Sequence, residues 1–551
     1  MKKQINVNKP FLPYPTNEKG TPIWFTLWEG DRILFKFYTF LNFREPVIWH
    51  YCDMTRWMGK ILTLEIEMPE MTQEEFDTIC PADTFPGYEE IYSNADRPQF
   101  HFTFRRGILN DPNALFYYNG VYHMFVQHQP YTNDWGDWQE LCNFGWGHAV
   151  STDLVHWKEL PDEFIPDELG PAFSGTGFVD VDNVSGLQQG EDAPILIYFT
   201  AAGGKGIRTM HLKHTQCLAY SLDGGKTFQK YAGNPIVPNY DIGNRDPKVL
   251  YHKETGKWLM LIYTDNEEKY LILTSDDLFH FTLTSEYKWE NGEHECPNMF
   301  EVPVEGENRK QMLLSGVTGT YMAVDFDGQK IYPLTQPRTI HQGGSYQAMQ
   351  IMPLPDGRLL SFYCYHYNRV NAGFSNCIGV PNELSLYHEG DAYILHTTPI
   401  RELEQLYVRR NHYSAFSLTV AEGEIHLPGA QLLDIELTVD AGQEFVLLVQ
   451  GVSIRIDGRT SELSVSPTVK GTETTTVRDT KNCRLRLLSD RNLLCLYEEN
   501  SHIIMPMQVH QVPSSDIVLR GDGAWIDTLE VRELSGIWPE MANSTHSMKH
   551  G

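Results

Sequence analysis

Three carboxylates in this chain stand directly before a proline or one residue ahead of it. They occur in Asn110-Asp111-Pro112-Asn113, Arg245-Asp246-Pro247-Lys248 and His294-Glu295-Cys296-Pro297. A proline holds its predecessor in extended backbone and tends to open a strand. Carboxylates repeated in that setting can converge on one pocket, and convergent carboxylates are what glycosidic cleavage requires. One attacks or stabilises the anomeric carbon, while another keeps a proton for the leaving oxygen. In a retaining enzyme the two stand roughly 5–5.5 Å apart. Taken singly, each motif has a plainer reading. Asn-Asp-Pro-Asn is a turn, Arg245-Asp246 is a surface ion pair, and three adjacent residues such as His294-Glu295-Cys296 rarely chelate one metal. It is the joint pattern that favours a site.

The elements that must position these acids are strands. Helical periodicity is scarce, and short apolar or aromatic runs bounded by Gly, Asn, Asp and Pro recur, which predicts an all-β protein. Between 99 and 406 three segments share one plan: AVSTDLVHW (149–157), AYSLDGGKTF (219–228) and LTSDDLFHF (273–281). Each reads as a strand end, a Ser and Asp turn, and a new strand starting on an aromatic. Such repetition predicts blades of a β-propeller, with long unequal gaps for functional loops. First strands of blades line the central channel, so acids at the starts of three blades would meet on the axis. Residues 1–68 predict a small N-terminal β-sandwich and 69–98 a linker with one helical turn at most. Residues 407–535 predict a second sandwich and 536–551 a frayed tail.

Composition narrows the classes. At 551 residues the chain exceeds one ordinary core, and 44 Lys and Arg against 72 Asp and Glu leave a net charge of −28. That field repels phosphate backbones and anionic membranes, so neither nucleic acid nor a membrane is an expected partner. No run approaches the length of a membrane span. The nine cysteines form no CxxC pair and read as reduced thiols. Lys2 and Lys3 are followed by no apolar stretch, which predicts a cytoplasmic protein, or a secreted or periplasmic one if a leader has been removed.

Together the motifs resemble those of glycoside hydrolase family 32, the invertases, inulinases and levanases. The resemblance rests on the three acid motifs and on Phe125-Val126-Gln127-His128-Gln129-Pro130. It rests also on Trp146-Gly147-His148-Ala149-Val150-Ser151 with Asp153-Leu154-Val155-His156-Trp157, and on Phe173-Ser174-Gly175. It implies a five-bladed propeller followed by a β-sandwich, with residues 1–68 as a small extra domain. Asp111 would then be the nucleophile, Glu295 the acid/base and Asp246 the holder of ring hydroxyls. Arg245 would keep the acids ionised. Asn110, Gln127, Phe173 and Ser174 would line the fructosyl pocket, with Trp135 (less securely Trp138) as an apolar wall. No cofactor and no metal are implied, and His123, His128, His148 and His156 read as strand or turn residues.

The expected activity is exo-acting hydrolysis of short fructo-oligosaccharides of inulin or levan type, with sucrose a further substrate. The alternatives are fructosyl transfer, including closure to a difructose anhydride, a non-catalytic fructan-binding propeller, and a related enzyme for arabinose or xylose substrates. The chain departs from the family pattern at Ile108-Leu109, at Ala114, at the insertion 135–145, at His341–Gln347 and Phe362–His366, and at Glu383, which lacks its arginine neighbour. These departures are expected to gather where the leaving sugar sits. Oligomeric state is not legible.

Overall fold

In the computed structural model the described residues are 1–17, 19–20, 22–132, 142–289, 295–343, 345–369, 372–421, 423–510 and 516–538. Five antiparallel sheets stand around one axis. Their inner strands are Gly107–Tyr118, Ala172–Val179, Arg245–His252, Asn298–Pro303 and Tyr346–Pro353. Each packs against the next, and the fifth against the first. The ring is closed by Phe374–Ile378. It pairs antiparallel with Leu359–Arg369 of the last blade and parallel with the first inner strand, Phe374 opposite Gly107 and Ser375 opposite Ile108.

The repeated Ser and Asp turns join the third and fourth strands of the first three blades. Their chemistry explains the repeat. The N–H groups of Asp153 and Leu154 donate to Ser151 Oγ at 3.1 and 2.9 Å, and His156 N–H donates to Asp153 at 2.8 Å. Asp277 and Leu278 N–H donate likewise to Ser275 Oγ at 3.2 and 3.0 Å. The two side chains thus satisfy a tight turn that a β-ladder leaves open. Between blades the buried faces are aromatic-rich, with Phe125, Trp146, Phe164 and Phe199 between the first two.

The N-terminal unit has a four-stranded sheet and a two-stranded one, Phe11–Thr16 with Ile48–Asp53. Its core takes in a propeller residue, Tyr131, whose ring stacks on Phe37 at 4.5 Å. Tyr14 O–H donates to the Tyr131 carbonyl at 3.2 Å, and the His50 ring N–H donates to Pro130 O at 3.1 Å. Residues 69–98 are not a loose connection. A helix, Gln73–Thr78, opens on a Thr72 and Glu75 capping box, and Phe76, Ile79, Phe85 and Ile91 are buried. Arg97 is fully buried and donates to the carbonyls of Ile91, Phe104 and Arg105 at 2.7–2.9 Å. A segment packed through irregular backbone carries no periodicity, so sequence pattern could not reveal its burial.

The C-terminal sandwich faces a seven-stranded sheet with a six-stranded one over an aliphatic core. Asp490, fully buried, accepts from the N–H groups of Gln99, Phe100 and His101 and from the His101 ring at 2.7–3.1 Å. It fastens the sandwich to the propeller. Of the departures at Phe362–His366, Tyr363 and Tyr365 serve the same junction, while Cys364 lies close enough to Asp111 to feel its charge. Phe362, Tyr363, Cys364 and Tyr365 are fully buried, and Tyr365 O–H points to the carbonyls of Leu494 and Met507 at 3.0 and 2.5 Å. His341 stacks on Tyr346, which stacks on Tyr363 at 4.1 Å. Glu383 receives Arg358 at 2.7 Å, so an arginine from elsewhere in the blade stands in for the missing neighbour. Among the described residues no helix is long and apolar enough to cross a membrane. The nine cysteines are unpaired, and all but Cys80 are buried.

Candidate active site

Both Asp-Pro motifs lie where strand pairing slips. Register shifts fall between Leu109 and Pro112 in the first inner strand and between Arg245 and Lys248 in the third. Proline has no N–H for the ladder, so the strand bulges and turns the preceding carboxylate out of the sheet. The extended backbone expected before proline is not what forms here: Asp246, before Pro247, takes φ +61 and Cys296, before Pro297, φ +49, left-handed backbone that costs roughly 1–3 kcal/mol in a non-glycine residue. The second inner strand shifts between Phe173 and Gly175, which places Ser174 on a bulge of its own.

The bulges bring distant residues together. Ser174 O–H donates to Asp111 Oδ2 at 2.6 Å. Cys296 N–H donates to Asp246 Oδ2 at 3.1 Å, and its Sγ lies between Asp111 Oδ2 (3.5 Å) and Asp246 Oδ2 (3.7 Å). Asp246 N–H donates to Thr200 Oγ1 at 2.9 Å, whose own hydroxyl donates to Gln216 at 2.7 Å. Asn113 straps the first two blades: its amide donates to Asp111 O and its Oδ1 accepts Gly175 N–H, each at 3.0 Å. Asn110 donates to Gln127 Oε1 at 2.8 Å. Phe173 is buried, its carbonyl held by Trp146 Nε1 at 3.1 Å. Trp135, Trp138 and His294 lie outside the described residues.

Arg245 crosses the site. Its Nη1 donates to Asp265 at 2.8 Å, its Nη2 pairs with Glu295, its Nε stands 3.8 Å from Asp246, and its guanidinium lies over the Tyr263 ring. The Glu295 side chain is 48 % exposed, against 7 % for Asp246. Asp246 is therefore sunk at the axis, Asp111 is half-buried beside it, and Glu295 stands on the rim.

Burial dominates the electrostatics. It raises Asp111 to about 6, opposed by the Ser174 hydroxyl and reinforced by the charge of Glu295. It raises Asp246 to about 7, opposed by Arg245 and reinforced by Glu295 and Asp111. Arg245 acts on both acids in the expected direction, favouring their ionised forms, but desolvation outweighs it. Burial, then the three carboxylates, push the Cys296 thiol well above its ordinary range, so it stays protonated as a weak donor.

The histidines are engaged elsewhere. His128 Nδ1 meets Asp162 at 2.9 Å, His123 meets His148 at 3.1 Å, and His156 meets Asp153 at 2.8 Å. Among the described residues no group of His, Cys, Asp and Glu could hold a metal. Thr200, Asp265 and Tyr263 were missed by sequence reasoning. Thr200 and Tyr263 sit in apolar strand runs whose pattern speaks only of the core, and Asp265 in the exposed turn that follows the second of these runs.

The chain matches the family model described as "Glycosyl hydrolases family 32 N-terminal domain" over residues 101–399. It is 30 % identical to a levanase of Bacillus subtilis over 516 residues, covering 83 % of this chain and 73 % of that one. It is 36 % identical to an invertase of Schizosaccharomyces pombe, covering 44 % of this chain and 43 % of the invertase. It is 34 % identical to an extracellular exo-inulinase of Aspergillus niger, covering 46 % and 52 %. Its fold is that of the exo-inulinase from Aspergillus awamori (TM-score 0.70, 21 % identity, 81 % of this chain and 100 % of that one). A fructofuranosidase from Schwanniomyces occidentalis, complexed with fructose, shares it too (TM-score 0.70, 24 % identity, 81 % and 99 %).

Proposed function

The chain belongs to glycosyl hydrolase family 32, and from that premise we propose that it is a retaining, exo-acting β-fructosidase. Its substrates are short inulin- or levan-type fructo-oligosaccharides, with sucrose a further one, and fructose is released from the chain end. The observation that carries the reading is the cluster of Asp111, Asp246 and Glu295 around Cys296, with Ser174 donating to Asp111. The levanase, invertase and exo-inulinase among its relatives are all named for fructosides, which supports the same sugar here.

Asp111 attacks the anomeric carbon of the terminal fructosyl unit. The glycosidic bond breaks as the Glu295 proton passes to the leaving oxygen, and a fructosyl ester forms on Asp111. Glu295 then takes a proton from water, which displaces the ester and frees fructose with retained configuration. Arg245 engages Glu295 through Oε1, leaving Oε2 for the proton. Asp246 binds ring hydroxyls, and those bonds tighten as oxocarbenium character develops. A pair of acids set at the propeller axis suits a chain end better than the middle of a polymer.

The test follows free fructose from sucrose, an inulin-type trisaccharide, a levan-type trisaccharide and both polymers, with Glu295→Gln as control and NMR of the first anomer formed. Fructose of retained configuration, lost in the control, is expected. An inverted first anomer, or polymer turnover equal to that of the trisaccharides, would overturn the retaining or the short-substrate part. Difructose anhydride as main product would replace hydrolysis by transfer.

A further inference from the structure

Further along the same five inner strands, past the acids, lies a second cavity of about 510 Å³. Leu115, Phe116, Val179, Lys248, Phe300 and Gln350 contribute to its wall. Two of these are polar and more than nine-tenths buried: Lys248 is 8 % exposed and Gln350 6 %. Among the described residues neither side chain has a hydrogen-bond or ion-pair partner. Each follows a bulge, between Arg245 and Lys248 and between Gln347 and Gln350, so the irregularity that turns out a catalytic acid also re-aims the residue after it. Thr176, on the same wall, is already used: it donates to Pro247 O and accepts Val249 N–H. Of the donors on this wall, the Lys248 ammonium and the Gln350 carboxamide belong to the two largely buried polar side chains, while Lys310 stands 3.8 Å from Glu301.

Charge singles out the place. In a chain of net charge −28, the lining carries Lys248, Lys253 and Lys310 against Glu301 alone among acids. Burial pushes the Lys248 ammonium down to about 8, with no carboxylate acting on it. The Lys248 side chain is largely desolvated and has no counter-ion among the described residues, and an anion beside such a cation recovers part of the cost. We propose that this cavity is a binding site for a small oxyanion, a phosphate or a carboxylate, seated between the Lys248 ammonium and the Gln350 amide. It is separate from the fructosyl pocket and does not depend on the chain's being a fructosidase.

The test is calorimetric titration of the whole chain with inorganic phosphate and with acetate, at ionic strength fixed by chloride and with glycerol as neutral control. Saturable binding of at least one anion is expected, and which one saturates names the head group. Lys248→Met should weaken it at least tenfold, while Asp111→Asn should leave it unchanged. No saturable binding by either anion overturns the proposal, as does undiminished binding by Lys248→Met. Loss of binding in Asp111→Asn would move the anion to the catalytic pocket and overturn it too. Should Lys248→Met fail to fold, a selenate-soaked crystal of the wild type decides. Anomalous density beside Lys248 upholds the site, and density elsewhere or none rejects it.

Discussion

Carboxylates held within the fold do opposite work in two regions of this molecule. Asp490, at the junction of propeller and sandwich, is surrounded by donors: three backbone N–H groups and the His101 ring, all within 3.1 Å. Asp111 and Asp246, at the axis, are underserved. Among the described residues Asp111 has one hydroxyl at 2.6 Å and a thiol at 3.5 Å, and Asp246 has one N–H at 3.1 Å, the same thiol at 3.7 Å and Arg245 Nε at 3.8 Å. A carboxylate whose lone pairs are filled by the fold is a fastening. One whose lone pairs are left open in a desolvated place is costly by itself, and sugar hydroxyls can complete its shell.

The contrast can be broken or sharpened by mutation. The largest effect belongs to the axis: Asp111→Asn and Glu295→Gln should each lower kcat by about 10³–10⁴-fold with folding intact. More than a few per cent of wild-type turnover in either would place the chemistry elsewhere. Asp490→Ala should do the reverse. It strands several buried donors and should cost roughly 3–5 kcal/mol of stability, seen as a lowered denaturation midpoint, with kcat of the folded fraction nearly unchanged.

Ser174→Ala should be milder, lowering kcat/KM roughly 10–100-fold, the worth of one hydrogen bond to a charge. It also bears on pH. Activity should fall as pH drops through about 6, where Asp111 gains a proton and can no longer attack. Without the Ser174 hydroxyl, which holds Asp111 down, that acid limb should move upward in the pH profile of kcat/KM. An unmoved limb would detach it from Asp111.

The smallest expected change is in stability. The Asp246 carboxyl stands at about 7 in the fold and about 3.9 in an unfolded chain. Between those values the folded protein keeps a proton that the unfolded chain has released, so stability rises as pH falls through the window and is lowest above 7. Asp246→Asn removes the ionisation and should raise Tm by roughly 2–5 °C at pH 8, with the gain shrinking toward pH 4. A lowered Tm at pH 8 would mean that the carboxylate stabilises the fold and belongs with Asp490.

Much of this was legible in the chain. Asp-Pro twice and Glu-Cys-Pro once point to the acids, the two Asp-Pro pairs through ladder interruption and not through the extended backbone expected of the preceding residue, and the Ser and Asp turns mark blade edges because they satisfy their own backbone. Residues 69–98 were read as a linker because packing by single aromatics leaves no period. The packing of Tyr363 and Tyr365 against the sandwich is not legible in the chain, because a buried interface and a pocket draw on the same aromatic residues.

Residue type, local backbone constraint and alternation are properties of neighbours in sequence, and from these the strands, the acid motifs and the all-β class follow. Convergence is not such a property. Ser174 is 63 residues from Asp111, and Cys296 is 50 from Asp246 and 185 from Asp111. Their meeting depends on closing the ring of blades and on bulges that aim side chains across it. The same closure set the burial that shifts Asp111 and Asp246 and left Lys248 without a partner among the described residues, because desolvation and pairing are decided by what surrounds a group in space.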